Sequence, residues 1–228
     1  MPISRLSLYG NPNIGAFLFA TDKFALAPPD IPRKFEEEMS STLRVPLYKT
    51  TICGSVLLGI FVTGNSKGLL VPHNAKEDEI SFIESSVGIP VVQYNGKKNA
   101  LGNMVLVNDS VAAVGVGADP ELKSLLSKTL GVEVYEVNIA GLSLPGVCAV
   151  TNNKAMLCHP QTTDEEVKKL EEIFNIPVNI STVNCGYPYL RVGMLANSYG
   201  VVVGEATTGP EMAHIEASLG LIGSVSSF

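Results

Sequence analysis

The chain has 228 residues, of which 46% are apolar and 17% are charged, and its formal net charge is −6. This apolar content excludes a disordered chain, and no apolar run approaches the ~20 residues of a transmembrane helix. The acidic balance argues against a protein held mainly by nucleic-acid phosphates, because such binding needs a basic face. The four cysteines show no C-x-x-C spacing, which indicates free and mostly buried thiols. We therefore expect a protein of a reducing compartment, the cytoplasm.

The chain begins with a predicted strand and a first unit of strand, strand, helix and strand. Residues 4–10 read as a strand that ends in glycine, which accounts for them better than a signal sequence does. The strands predicted in the first unit are 16–20, 24–27 and 45–49. Phe35, Met39 and Leu43 form the inward face of its helix, and Arg44 stands where a terminating glycine is usual.

The same order of elements recurs along the chain and is clearest in the third unit, where strands are predicted at 104–107, 111–114 and 132–135. Asp119 and Pro120 predict a helix start, because an N-cap carboxylate and a proline in the first turn both favour it. Gly131 ends this helix, since glycine adopts the left-handed conformation at low cost. The helices of the second, fourth and fifth units end in the same way, at Gly88, Asn175 and Gly220. In the fourth unit, Thr163 and Glu166 form a capping box.

Two series of glycines run through the chain in phase. The first series precedes a strand in each unit, at Gly15, Gly59, Gly102, Gly146 and Gly193, with spacings of 44, 43, 44 and 47 residues. The second series lies five to seven residues earlier, at Gly10, Gly54, Gly96, Gly141 and Gly186. Such a period is the signature of a repeat architecture.

The fifth unit is shorter than the others, and its last predicted strand is weak. It therefore looks incomplete. The segment before Gly15 supplies a matching strand, so we expect it to complete the fifth unit and close a ring, which removes exposed sheet edges. The predicted fold is α/β, with five pseudo-symmetric ββαβ units closed by the N-terminal strand. One domain covers residues 1–228, with units at about 15–58, 59–101, 102–145, 146–192 and 193–228 plus 1–14. Residues 224–228 are expected to fray.

Several residue groups suggest chemistry, but each has a simpler structural interpretation. Cys158 and His159 are neighbours on a strand and point to opposite faces, which places them poorly as nucleophile and base. The cysteines and histidines also lack the ligand-pair spacing of a zinc site. We therefore predict no catalytic residue, no metal and no cofactor.

Two further segments are interpreted as loops. Gly115-Val116-Gly117 is half of a dinucleotide-binding fingerprint without its third glycine. Lys97-Lys98 and Arg191, with Tyr187 and Tyr189, offer a local basic patch, but scattered charges of this kind usually belong to solvated loops.

The chain resembles a known family in its repeat-specific motifs, which are 68–72 (GLLVP), 100–103 (ALGN), 108–109 (ND), 159–160 (HP) and 182–186 (TVNCG). These motifs and the five closed units are similar to the pentein fold, the α/β propeller, and to the archaeal form of the translation initiation factor 6 family. The resemblance covers residues 3 to about 222. It does not extend to the long phosphorylatable tail of eukaryotic members, so regulation through that tail is not expected.

The resemblance implies a non-enzymatic monomer that binds the intersubunit face of the large ribosomal subunit and blocks joining of the small subunit. The implied partner is a ribosomal protein near the sarcin–ricin loop, and a local rRNA contact is compatible with it. No membrane and no small-molecule substrate is expected. The predicted ribosome-binding residues lie at the first glycine series and directly after it: Gly15, Ala16, Ile60, Gly102, Asn103, Val147 and Met194. Ile60 departs from the eukaryotic members, which have an arginine there.

The alternative is an enzyme, a pentein-type guanidine deiminase or related hydrolase. Catalytic penteins carry a nucleophilic cysteine in the last unit. No cysteine follows Cys185 in this sequence, and that feature argues against the alternative. A small-molecule binding ring is the third hypothesis, and it requires polar groups that converge in the central channel.

Overall fold

The structure is a computed structural model that describes residues 2–221, so the expectation for 224–228 lies outside it. The structure has mixed α/β architecture with five three-stranded sheets, one for each predicted repeat. The strands are β1 (Ile3–Leu6), β2 (Phe19–Ala20), β3 (Ala25–Ala27), β4 (Leu47–Lys49), β5 (Thr63–Asn65), β6 (Gly68–Pro72), β7 (Val91–Tyr94), β8 (Val105–Val107), β9 (Val111–Val114), β10 (Glu133–Glu136), β11 (Ala149–Thr151), β12 (Met156–Cys158), β13 (Val178–Ile180), β14 (Met194–Ala196) and β15 (Val201–Gly204).

The helices are of two kinds. Longer helices follow the second strand of each unit, and the first four of them lead into the third strand: α1 (Arg33–Leu43), α3 (Glu77–Val87), α5 (Pro120–Leu130), α7 (Asp164–Phe174) and α9 (Gly209–Ser218). Short helical turns precede the first strand of each unit: a 3₁₀ turn (Ile14–Ala16), α2 (Leu58–Phe61), α4 (Leu101–Met104), α6 (Pro145–Cys148) and α8 (Leu190–Gly193). We call these five short elements the entry turns.

Every sheet has the same connectivity. The strand orders are β2-β3-β4, β5-β6-β7, β8-β9-β10, β11-β12-β13 and β14-β15-β1. The first pair in each sheet is antiparallel and the second pair is parallel. A tight turn suffices for the first connection, whereas a parallel pair needs the longer crossover.

The predicted pairing of the N-terminal strand with the fifth unit is confirmed. β1 lies parallel to β15, with Ile3 opposite Val201 and Leu6 opposite Gly204. β1 and β15 therefore lie side by side in one sheet, although they are far apart in the chain. Each of the five apolar clusters also combines buried residues of two neighbouring units, and one of them joins the last unit to the first.

The helix boundaries follow the local capping signals. The Asp119 carboxylate accepts a hydrogen bond from the Glu121 N–H, and Thr163 forms the predicted capping box with Glu166. The predicted helix end before Arg44 is also confirmed, although this arginine adopts a left-handed φ of 55°. Such a backbone costs about 1–2 kcal/mol in a residue with a Cβ, so the packing that follows must enforce it.

The predicted starts of the first strands are wrong in the first and third units. Residues 14–16 and 101–104 are helical, and the strands begin only at Phe19 and Val105. These turns span three or four residues, too few for an apolar helical period to be visible in the sequence.

Candidate functional site

The entry turns gather at one end of the molecule and contact one another in chain order. Each turn packs against the turn of the next unit, and α8 packs against the 3₁₀ turn of the first unit. The residues predicted to bind the ribosome lie on or beside these turns, so the structure brings that set together. We call this end of the molecule the entry-turn face.

Glycine is required at the second position of four of these turns because the neighbouring backbone lies so close. A Cβ on Gly59 or Gly102 would lie 1.9 Å from the carbonyl oxygen of the preceding glycine, and a Cβ on Gly146 would lie 2.3 Å from that of Gly102. At Gly15 the obstacle is the Arg191 carbonyl oxygen at 2.0 Å. The close approach explains the first glycine series. Gly15 and Gly102 are therefore structural residues of the face.

The predicted equivalence of Gly193 and Met194 with the other units is wrong. Gly193 is the last residue of α8, and Arg191 occupies the second position. A Cβ on Gly193 would meet the Val183 side chain instead of a neighbouring turn. Met194 is fully buried. The residue equivalent to Ala16, Ile60, Asn103 and Val147 is Val192.

A signal for this assignment is present in the sequence. In units two to four, the turn glycine is followed six residues later by Asn65, Asn108 or Asn152. The corresponding Asn197 lies six residues after Arg191 and only four after Gly193. Counting back from the asparagines finds the correct position, whereas a search for glycine misses it.

The side chains displayed by the face are uncharged and accessible. They are partly exposed at all five equivalent positions: Ala16, Ile60, Asn103, Val147 and Val192. Within residues 2–221, the Asn103 amide has no hydrogen-bond partner. The face therefore combines apolar area with one free amide. Protein interfaces are likewise depleted of charge in their centre.

Arg191 places a cation among the entry turns. Its Nε atom is buried and has no hydrogen-bond partner within the described part of the chain. The guanidinium carbon lies 5.8 Å from the centre of the Phe19 ring. Burial lowers the pKa of Arg191 to about 10, because a charged group loses hydration there. A charge without a counterion in such a place costs stability.

At the opposite end of the molecule, hydrogen bonds link the turns of neighbouring units at four of the five junctions. The amide of each turn asparagine donates to the backbone of the next turn: Asn65 to Asn108 O (3.2 Å), Asn108 to Asn152 O (3.4 Å), Asn152 to Asn197 O (3.2 Å) and Asn197 to Thr21 O (3.1 Å). Asn153 also donates to the carboxylates of Asp22 and Asp109. These amides are occupied by intramolecular bonds, and the end carries charged side chains of both signs. Asparagine is common in turns for local reasons, so the sequence alone gives no sign of this network.

Cys148, Cys158 and His159 are buried in environments that disfavour their charged forms. Burial raises the pKa of Cys158, and it raises the pKa of Cys148 to about 11. His159 is buried, which lowers its pKa, and its Nδ1 atom accepts a hydrogen bond from the Gln161 N–H. The four thiols are free, but Cys185 is exposed and Cys53 is half-buried, so the expectation of mostly buried thiols holds for only two of them.

The described residues contain neither a cluster of metal-ligating side chains nor a membrane-spanning helix. Between residues 2 and 221, no three His, Cys, Asp or Glu side chains converge on a common point as metal ligands would. No helix in the same range has the length and apolar character needed to cross a membrane.

Comparison with known proteins gives a consistent family assignment. Residues 3–218 match the model of the eIF-6 family. The translation initiation factor 6 of Pyrococcus abyssi is 40% identical over 227 residues, which is 97% of this chain and 100% of the relative. Those of Staphylothermus marinus and Methanosarcina mazei are 36% and 38% identical, over 96% of this chain and 98% and 99% of the relatives. The match runs from the first strand to the last helix, so the chain belongs to the eIF-6 family.

Proposed function

We propose that the chain acts in translation initiation by binding the intersubunit face of the large ribosomal subunit, where it prevents association with the small subunit. The family assignment supports a role in translation initiation, because its members are named translation initiation factors. The proposed partner is a ribosomal protein near the sarcin–ricin loop. We further propose that the protein is a cytoplasmic monomer without enzymatic activity.

The proposed architecture is a pentein-type α/β propeller that forms one domain. Three features support it: the entry turns contact one another from the first unit to the fifth and back to the first, β1 completes the sheet of the fifth unit, and an apolar cluster lies at every junction. A closed ring of this kind presents two distinct ends, and the proposal assigns subunit binding to the entry-turn face.

The unpartnered Asn103 amide, one of five equivalent positions with uncharged side chains, is the observation that carries this choice. A buried interface favours apolar area with few polar groups, provided that those polar groups find partners in the complex. The opposite end offers neither property, since its amides are occupied and it carries Asp22 and Asp109.

The test is co-sedimentation of the protein with isolated large subunits across a salt series. We expect Asn103→Arg or Ala16→Arg to weaken binding by ~2 kcal/mol or more, about thirtyfold, because each forces a charge into an interface centre. The matched control is Ser110→Arg, which adds the same side chain to an exposed turn at the opposite end. Melting temperatures of the three variants should agree, because none of these side chains lies in the core.

Two results would contradict the proposal. If Ser110→Arg abolishes binding while the entry-turn variants bind normally, the wrong end has been chosen. If log affinity falls with log salt at a slope of about −5 to −9, phosphate contacts dominate and the interface is not mainly between proteins.

A further inference from the structure

The pseudo-repeat is broken at one place in the region before the entry turns. Four of the five connections contain a turn with left-handed residues, at Tyr9-Gly10, Cys53-Gly54, Ala140-Gly141 and Cys185-Gly186. Each of these turns is closed by a β-bridge, such as Ile52 with Ser55. Between β7 and α4, residues 95–100 have neither a left-handed residue nor a bridge.

Three of the four turns are bound by a residue at the third position of the long helix that follows. In three units a glutamate stands there and accepts hydrogen bonds from both turn N–H groups. Glu79 binds Cys53 and Gly54 at 2.8 Å, Glu166 binds Ala140 and Gly141 at 3.1 Å, and Glu211 binds Cys185 and Gly186 at 3.1 and 2.9 Å. In α5 this position is Leu122, which cannot accept them. In α1 it is Phe35, and the turn at Tyr9-Gly10 forms without a glutamate.

A different contact holds the third unit together. The Tyr94 hydroxyl donates to Asp119 Oδ2 at 2.8 Å, which ties the end of β7 to the N-cap of α5. A Cβ on Gly96 would lie 2.0 Å from the Tyr94 ring, so glycine is needed beside it. Tyr94 thus compensates for the lost glutamate, but the space that a turn fills elsewhere is left open.

The opening is a cleft of about 440 Å³ with apolar walls and a basic rim. Met104, Leu122 and Leu144 contribute to its walls, and Val116 is 58% exposed there. Lys97 and Lys98 lie on the rim, both exposed. Neither lysine forms an ion pair within residues 2–221.

We propose that this cleft docks a short segment of a partner protein in which an apolar side chain is followed by carboxylates. The apolar side chain lies against the exposed Val116 and Leu144. The carboxylates face Lys97 and Lys98. The volume is within the range of ligand sites. Accessible apolar walls of this kind mark binding grooves.

Charge complementarity selects an acidic segment. Two adjacent unpaired lysines reverse the local sign in a chain of net charge −6. The one carboxylate in the lining, Asp119, already accepts hydrogen bonds from Tyr94 and from the Glu121 N–H, so it is committed to the helix N-terminus. A nucleic acid would use the two cations but would gain nothing from the apolar walls.

The experiment uses the full chain alone and does not depend on subunit binding. A panel of short capped peptides carries leucine or phenylalanine followed by two aspartates. Matched peptides replace the aspartates with serines or lysines, or the apolar residue with serine. Binding is followed by NMR, through the methyl signals of Met104, Val116, Leu122 and Leu144. We expect the acidic apolar peptides alone to shift these signals at up to about 1 mM.

The charge requirement is tested by reversing the rim lysines. Lys97→Glu combined with Lys98→Glu should weaken peptide binding by about tenfold, since two attractions become repulsions. The matched control is Lys168→Glu with Lys169→Glu, a second adjacent pair of exposed lysines on α7. That control should bind the peptide as the parent does, and both variants should keep the parent's melting temperature.

Several outcomes would overturn the proposal. These are equal binding of the lysine or serine peptides, shifts confined to other surfaces, and no shifts with any peptide. Shifts that grow with protein concentration in the absence of peptide would assign the cleft to a second copy of the chain. Displacement of the peptide by a short RNA would assign it to nucleic acid.

Discussion

Arg191→Met tests whether the cation among the entry turns destabilises the fold. Methionine keeps an unbranched side chain of similar reach, but it removes the charge and all five N–H donors. The four equivalent positions are glycine, at Gly15, Gly59, Gly102 and Gly146. The arginine side chain at this position therefore has no counterpart in the other four units.

The magnitude follows from the pKa of the guanidinium. Its lowering to about 10 corresponds to about 3 kcal/mol of disfavoured charge in the folded state. This is an upper limit, because Arg191 keeps part of its surface accessible. The contact with the Phe19 ring returns about 0.5–2 kcal/mol, which the substitution loses. We expect Arg191→Met to be more stable than the parent by about 1 kcal/mol, or roughly 2–4 °C in melting temperature.

The assay is urea unfolding of the parent and the variant at neutral pH, with the midpoint and slope fitted separately. The control is Lys34→Met, which makes the same change of net charge at an exposed position of α1. The control should leave stability unchanged within about 0.5 kcal/mol. A loss of stability in Arg191→Met would refute the reasoning, because it would show that the guanidinium makes a favourable contact in the folded protein.

Two other predictions concern stability. Deleting residues 1–10 removes β1 from the sheet of the fifth unit, so the remaining chain should be insoluble or molten, and a monodisperse product with unchanged melting would contradict this. Burial alone raises the pKa of Glu211, but its hydrogen bonds with Thr208, Thr182 and Gly186 outweigh this and lower the pKa to about 2. The ionised form therefore stabilises the fold fully above the ordinary glutamate pKa, and this contribution is lost as the pH falls towards about 2. Glu211→Gln should have a lower melting temperature than the parent at pH 7, and its melting temperature should fall less steeply as the pH is lowered. If the melting temperatures of the two proteins fall in parallel with pH, the role given to the ionised Glu211 is wrong.

The sequence predicted those features that are set by neighbouring residues. The helix start at Asp119, the capping box of Thr163 and the helix end before Asn175 depend on local hydrogen bonds and backbone preference, and all are confirmed. The pairing of β1 with β15 was also predictable, because the repeat left one strand missing and the N-terminus had one to supply.

The features that the sequence did not predict depend on contacts between units. The entry turns are held by the approach of a neighbouring glycine carbonyl, which no local pattern reports. Glu166 was read as part of a capping box, yet it also binds the turn at Ala140 and Gly141, more than twenty residues earlier. Leu122 is an ordinary apolar residue of a helix by its local sequence. Its significance appears only when the equivalent positions of three other helices are known to hold glutamates.

The two departures from the repeat differ in their physical status. The third unit lost the glutamate at Leu122, but Tyr94, Gly96 and Asp119 form an alternative tie, so the cleft beside them lies on a compensated framework. Arg191 has no such compensation within residues 2–221, since its Nε atom is buried without a partner. A departure whose polar groups find new partners costs little stability. A departure that leaves a buried polar group without a partner lowers stability, unless a binding partner supplies the missing contact. The stability of Arg191→Met and peptide binding by the cleft are therefore independent measurements.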